Sequence, residues 1–550
     1  MKSTILKYAL QNAVKYNGKA NQGAVIGKLI QDDPKLKEKL KDIVPEISKI
    51  IKEIEKWSVE EQLEKLKEIA PELLEKKKKE ERKLPDLPNA VEGKVVMRIA
   101  PYPSGPLHIG NARPFIMNDE LTKKYDGKLL LILDDTIGSE EKQIAPEAYD
   151  LIPDGLDWLG IDYEKKIVYK SDRLELYYKH VEEIIKKGYA YVCTCPSEQM
   201  REYRAKGMVC DCRSHSIEKT MDEWKKMFTV YKEGEAALRL KTGMDQPNPA
   251  FRDRVLFRIC ERKHPKVGNK YRVWPMLEFS WGIDDVFLNI THVLRGKELR
   301  IETDMEEFIW NILRWKGPDV MYSGLLQIEG VKLSKSKSRK EVMSGEYIGW
   351  DDPRTWSLQS LKRRGLLPEA IRKFILGFGL NENEITVPVD TLYSENRKIL
   401  DPVVNRYYFV ENPKKIKIKE APEMTAEAPL HPEDKGRGMR KLKTNGEFYV
   451  SEDLKKGHVY RFMHLFNFKD SKFVSETMDP KLKAKLIHWL PVQHAVEAEI
   501  LMPDGAVKKG FIEDNAKHAK VDEVIQLERF GFVRLDKKEK DKLCFWYTHD

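Results

Sequence analysis

Residues 95–111 constrain this chain more than any other stretch. Val95-Val96-Met97-Arg98-Ile99-Ala100 is short and apolar, as a strand buried on both faces must be, and Arg98 is its only charge. Pro101-Tyr102-Pro103-Ser104-Gly105-Pro106 then breaks regular structure, and a helical pattern begins near His108. A second apolar run, Leu129 to Leu133, follows. Two buried strands joined through a helix pair in parallel, because the crossover returns the chain to the same end of the sheet. Strand and helix alternation continues to about residue 390 around a cysteine-bearing stretch, which predicts an α/β sheet with a sizeable insertion. Ligands of such sheets bind outside the carboxyl ends of the strands.

The rest of the chain has a different texture. At 550 residues, 41% hydrophobic and 34% charged, it has room for several domains with their own cores, which excludes a small disulfide scaffold and extended disorder. A net charge of +9 is compatible with a nucleic-acid partner without requiring one. No run approaches the roughly 20 apolar residues of a membrane span, and Met1 to Leu10 does not read as a secretion signal, so a soluble cytoplasmic protein without a membrane partner is expected. Residues 1–83 are Lys/Glu-rich, with Leu40, Ile43, Ile47, Ile50, Ile51, Ile54 and Trp57 at helical spacing; Pro45 predicts two helices or a kinked one. Glu75 to Arg82, before Pro85 and Pro88, is either a solvated helix end with a linker or an RNA contact. Beyond residue 395, Val496, Ala498, Ile500 and Met502 alternate with other residues before Pro503-Asp504-Gly505, and Val459 to Phe468 is strand-like, so β modules are expected. Lys435, Arg437, Arg440 and Lys441 form a basic patch there, open to a solvated-loop or an RNA-facing reading.

Several residues carry chemistry. His108 and Asn111, three apart at a helix start, suit a polyphosphate, since helix N-termini favour anions and Gly105 and Gly110 allow close backbone approach. A histidine that merely caps the helix fits the same residues. Lys332-Leu333-Ser334-Lys335-Ser336 is a second candidate phosphate element, whose flexible lysines can close over a triphosphate; a solvated loop is the alternative. Cys193, Cys195, Cys210 and Cys212 offer four soft ligands to a tetrahedral zinc, with His215 as a substitute ligand and four free thiols as the alternative. Arg98 needs an anionic partner inside its apolar strand, either a substrate or a structural carboxylate.

His108-Ile109-Gly110-Asn111 and Lys332-Leu333-Ser334-Lys335-Ser336 resemble the His-Ile-Gly-His and Lys-Met-Ser-Lys-Ser motifs of class I aminoacyl-tRNA synthetases, with Asn for the final His. Arg98 to Gly105, Leu133-Asp134-Asp135-Thr136, Thr291-His292-Val293-Leu294-Arg295-Gly296 and Gly349-Trp350-Asp351-Asp352-Pro353-Arg354 narrow the likeness to the archaeal-type glutamyl-tRNA synthetases, over essentially the whole chain. Ile132, Ile137-Gly138, Tyr102 and Leu277 depart from the usual family pattern. The resemblance implies a multidomain α/β plus β protein: an N-terminal helical extension (1–83), a linker (84–93), a Rossmann catalytic domain in two halves (94–185 and 273–340), an acceptor-end-binding insertion with the cysteines (186–272), a helical stem-contact region (341–395) and anticodon-binding β-barrels (396–550). It implies ATP with Mg²⁺, bound by Ser104, Gly105, His108, Gly110, Asn111, Lys332, Ser334 and Lys335, with His108, Asn111, Lys332 and Lys335 catalytic. Arg98 and Arg295 resemble the pair that holds the glutamate side-chain carboxylate, Asp134 the acid for its α-ammonium, and the cysteines a structural zinc site. The function implied is ATP-dependent attachment of glutamate to the 3′ end of glutamate tRNA, with glutamine tRNA as a further possible partner. The rivals are a glutaminyl-tRNA synthetase, a tRNA-modifying paralogue and a catalytically silent RNA-binding scaffold.

Overall fold

Ile43, Ile47, Ile51 and Ile54 share one helical face and are all buried, which explains the architecture of the N-terminal unit, Met1–Glu81. Its helices are α1 (Lys2–Lys15), α2 (Gln22–Asp32), α3 (Leu40–Ile54) and α4 (Val59–Ile69). Pro45 does not divide α3. It lies in the second turn, where one intrahelical bond is lost, and burial of the isoleucines at about 1.5–3 kcal/mol each outweighs that loss. A capping box starts α4: Glu61 N–H donates to Ser58 Oγ (3.2 Å), and Ser58 N–H to Glu61 Oε2 (2.7 Å).

The structure is a computed structural model and describes residues 2–15, 18–32, 36, 40–73, 84–138, 143–331 and 335–550. The run Glu75 to Arg82 lies outside the described residues. Among those described, no helix is long and apolar enough to cross a membrane.

The second unit, Arg82–Asp550, begins with the expected parallel strands. β1 (Val96–Ile99), β2 (Lys128–Leu133) and β3 (Val168–Tyr169) pair in that order, with Val96 opposite Lys128 and Leu133 opposite Tyr169. The crossovers carry α5 (Ile109–Lys124) and α6 (Ala148–Trp158), whose Ile116, Leu121, Ile152 and Leu156 bury against Met97, Leu129 and Leu131. After α7 (Leu174–Lys186) the chain forms an antiparallel sheet of β4 (Ala190–Cys193), β5 (Ala237–Leu240), β6 (Val255–Ile259) and β7 (Val273–Pro275), with α8 (Ser197–Lys206) and α9 (Ile217–Thr229) between β4 and β5. The chain then resumes parallel pairing: α10 (Leu277–Phe287) leads to β8 (His292–Gly296), and α11 (Arg300–Leu313) to β9 (Asp319–Ser323). Thr291 N–H donates to Val96 O (2.9 Å), which sets the start of β8 beside the start of β1.

Beyond residue 404 the described elements are mainly strands. A seven-stranded sheet runs in the order Arg406–Tyr407, Val524–Leu527, Gly531–Lys538, Lys542–His549, Ala495–Leu501, Val507–Glu513, Phe409–Glu411. Its two edge strands are separated in sequence by Tyr408 alone. A second core gathers Phe448, Phe462, Phe466 and Trp489 from smaller sheets nearby. The basic patch does not survive as one surface. Arg440 is buried, donating to Glu513 (2.7 Å) and Glu528 (2.6 Å), because a guanidinium inside a β core needs carboxylates more than solvent. Arg437 pairs with Asp434 (3.1 Å) and Lys441 with Glu427 (3.7 Å), and the Lys435 side chain lies outside the described residues.

Candidate active site

The loop after β1 is shaped by its glycine. Gly105 has φ +153°, and a Cβ there would lie 2.9 Å from the Trp350 ring, so the indole closes over bare backbone. Trp350 Nε1–H donates to Glu147 Oε1 (2.9 Å), which holds the ring in place. The loop ends at His108, the N-cap of α5. Gly110 N–H donates to His108 Nδ1 (3.1 Å) and His108 N–H to Asn111 Oδ1 (3.2 Å). His108 therefore does cap the helix, and a neutral ring in this geometry carries its proton on Nε2. Asn111 accepts through Oδ1, which leaves its amide N–H₂ as the donor end. No acidic side chain occupies the first turn of α5, so the partial positive charge of the terminus, about half an elementary charge, is not countered there. Ser104, Gly105, His108, Gly110 and Asn111 thus lie on one loop and one helix terminus. Lys332 and Ser334 lie outside the described residues, and Lys335 opens a helix, α12 (Lys335–Met343), with its side chain outside them.

A second constellation lies over Trp281 of α10. The guanidinium carbons of Arg98 and Arg295 are 4.8 and 5.2 Å from its ring centroid, and Lys170 Nζ is 5.1 Å away. Each cation has a buried acidic partner. Arg98 grips Asp285 through Nε and Nη2 (2.9 Å for the latter), and Arg295 grips Glu306 through both Nη atoms (2.9 and 2.5 Å). Burial opposes the Arg98 charge, and Asp285, backed by Glu306 and Asp284, overrides it and holds its pKa above the arginine value. Lys170 Nζ stands 3.2 Å from Asp134, immediately beyond the carboxyl end of β2. Burial pulls Lys170 below the ordinary lysine pKa against the attraction of Asp134 and Asp284. The structure therefore brings Arg98, Asp134 and Arg295 together. Among the described residues, Arg295 Nε, Trp281 Nε1 and Asp134 Oδ2 are buried without hydrogen-bond partners.

The four cysteine sulfurs lie within 4.8 Å of one another, with Cys193 to Cys210 at 4.0 Å and Cys195 to Cys212 at 3.9 Å. Four sulfurs about 2.3 Å from a tetrahedral zinc stand about 3.8 Å apart, so the donor set fits that ion. Burial pushes the Cys193 and Cys195 thiols up, and a cation among them supplies the charge that thiolates would need. His215 is not part of the cluster.

Comparison with known proteins decides the family. Residues 94–402 match the family described as tRNA synthetases class I (E and Q), catalytic domain; 404–487 and 486–536 match two anti-codon binding domains of the same class. The chain belongs to this class. Within it, the chain is 46% identical to the glutamate–tRNA ligase of Pyrococcus furiosus, covering 99% of both chains. It is 42% identical to that of Methanocaldococcus jannaschii over 100% of both, and 42% identical to that of Thermococcus kodakarensis over 100% of this chain and 99% of the other.

The structure also places beside the predicted site residues several that sequence reasoning missed. Asp285 and Glu306 sit on α10 and α11, and only tertiary packing brings them to Arg98 and Arg295. Trp281 reads as core. Lys170 directly follows a strand of the parallel sheet, at the edge where such sheets bind ligands, but that strand is too short to be read from the sequence.

Proposed function

We propose that this synthetase joins glutamate to the 3′ end of glutamate tRNA through a glutamyl-adenylate. The observation that carries the reading is end-to-end similarity, at 40–46% identity, to proteins named glutamate–tRNA ligase. These relatives are named for glutamate alone, so glutamate tRNA is the partner assigned and glutamine tRNA is dropped. A glutamate α-carboxylate oxygen attacks the ATP α-phosphate and pyrophosphate leaves; a ribose hydroxyl of the terminal adenosine then attacks the acyl carbon and AMP leaves. In this reading the α5 terminus, with Ser104, Gly105, His108, Gly110 and Asn111, binds the phosphates, and Lys332, Ser334 and Lys335 close over them. Mg²⁺, when bound with ATP, neutralises phosphate charge. Asp134 receives the α-ammonium, and Arg98 and Arg295 face the side-chain carboxylate with the N–H groups that Asp285 and Glu306 leave over. We assign a structural zinc to Cys193, Cys195, Cys210 and Cys212. We also retain the insertion as the acceptor-end grip, the strand-rich C-terminal region as anticodon-binding barrels, and the cytoplasm as the place of action.

Charging of purified glutamate and glutamine tRNA with each amino acid tests the reading. Glutamate on glutamate tRNA is expected, and glutamine transfer at comparable efficiency would overturn it. Lys335→Ala should slow single-turnover adenylation by about 2–4 kcal/mol of barrier, the scale of a lost electrostatic donor. Protein purified without added metal should contain one zinc per chain, and Cys193→Ser should lose it while impairing transfer to tRNA more than adenylation.

A further inference from the structure

Lys170 has no exposed surface. Its Nζ donates to Ser280 Oγ (2.7 Å), lies 3.2 Å from Asp134 Oδ2 and stands over the Trp281 ring. Fully buried lysines are rare unless paired. Beside it, Arg173 and Tyr177 take up Asp284 at 2.6 and 2.7 Å, so that acid is already engaged by other groups.

The three cations over Trp281 are not equivalent. Arg98 and Arg295 each spend two N–H groups of a planar fork on one buried carboxylate. Those charges are matched whichever amino acid arrives. Lys170 and Asp134 are close enough to balance one another as an ion pair, yet among the described residues Asp134 Oδ2 has no hydrogen-bonded partner. Asp134 is neutralised without being satisfied.

Binding of an amino acid upsets this balance. An α-ammonium placed on Asp134 brings a second cation to a carboxylate that already answers Lys170. Lys170 is sealed from solvent, so water cannot take over its charge, and another anion has to. Glutamate and glutamine both bring an α-carboxylate with the α-ammonium, but in the proposed reaction that group is turned to ATP; only glutamate brings a further anion, on its side chain.

We propose that Lys170 is a specificity-determining residue for the amino acid, the buried charge that only a substrate with a side-chain carboxylate rebalances. The inference rests on the glutamate reading above and deepens it, since it moves the discriminating charge from the arginines to a lysine held by Ser280 and Asp134.

The test is aminoacylation of glutamate tRNA by the full chain carrying Lys170→Met, with glutamine measured both as substrate and as competitor of glutamate. The glutamate-to-glutamine ratio of kcat/KM should fall at least about tenfold, mainly through a higher KM for glutamate, and Lys170→Arg should restore part of it. Equal losses for both amino acids would mean a structural role and would overturn the proposal. If Lys170→Met does not fold, Ser280→Ala removes an Nζ acceptor with less disturbance and should lower the ratio about threefold; an unchanged ratio there also overturns it. The parent enzyme, run alongside, separates the two readings: failure to charge glutamate would remove the proposed function itself, whereas an active parent with an unmoved ratio in the variants removes only the role of Lys170.

Discussion

At the carboxyl edge of the parallel sheet, Arg98, Lys170 and Arg295 lie over Trp281 with Asp134, Asp285 and Glu306 as partners; among the C-terminal strands, Arg440 lies 4.7 Å over Tyr408 between Glu513 and Glu528. The parts are the same: buried cation, carboxylate, aromatic ring. What differs is how the charge account closes. Arg440 has two acids to itself, and although Glu513 Oε1 also lacks a partner among the described residues, it lies inside a strand core away from any strand end of the parallel sheet, and burial pushes that carboxyl up to about 7 against the pull of Arg440. Over Trp281 the cations match their acids one for one, and the unsatisfied oxygen belongs to Asp134 at a strand end. A buried ion pair is thus no sign of a site by itself; position at the sheet edge and an acceptor left open are.

Truncating each arginine sharpens this contrast most. Arg98→Met and Arg440→Met should each lower unfolding free energy in urea by about 3–5 kcal/mol, because both leave buried carboxylates unpaired. In the folded enzyme only Arg98→Met should cut kcat/KM for glutamate, by about 2–5 kcal/mol of transition-state stabilisation. Equal catalytic losses would erase the distinction.

A smaller effect is confined to the C-terminal cluster. His488 stacks on Tyr408 at 5.0 Å, and burial, with Arg529 and Arg440 nearby, pushes its pKa down to about 4. Its neutral form is the folded one, so its contribution is intact above the unfolded histidine value of about 6.5 and is lost as pH falls towards 4. Relative to His488→Gln, the parent should lose about 2 kcal/mol of stability across that window, after a discount for partial exposure. The glutamate KM at neutral pH should not follow. The smallest effect belongs to the rings: Trp281→Phe weakens the surface beneath three cations and should raise glutamate KM by about 1 kcal/mol, while Tyr408→Phe should leave charging unchanged.

The sequence made one arginine legible and hid the other. Arg98 stood out because a single cation interrupted an apolar run, and both the strand and the helix start at His108 lie where that run predicts. Arg440 alternates with lysines in a strand whose inward face was not apparent from charge alone, so it read as surface. Lys170 was hidden because the two residues of β3 are too few to show a period. The cysteines were legible from spacing, since ligand type and count carry most of the information. Asp285 and Glu306 were not, because helix neighbours say nothing about which strand they will face.

Tyr408, the single residue between the two edge strands, has a consequence for how this region tolerates changes in length. Tyr407 and Phe409 turn into one core, whereas Tyr408 and Val410 turn into the other, so this short segment is a wall shared by two rooms. Inserting or deleting one residue there would exchange the inward side chains of this segment between the two rooms, each of which is packed around the residues it holds. Substitutions can be absorbed one at a time, but the segment's residue count is fixed by both cores at once.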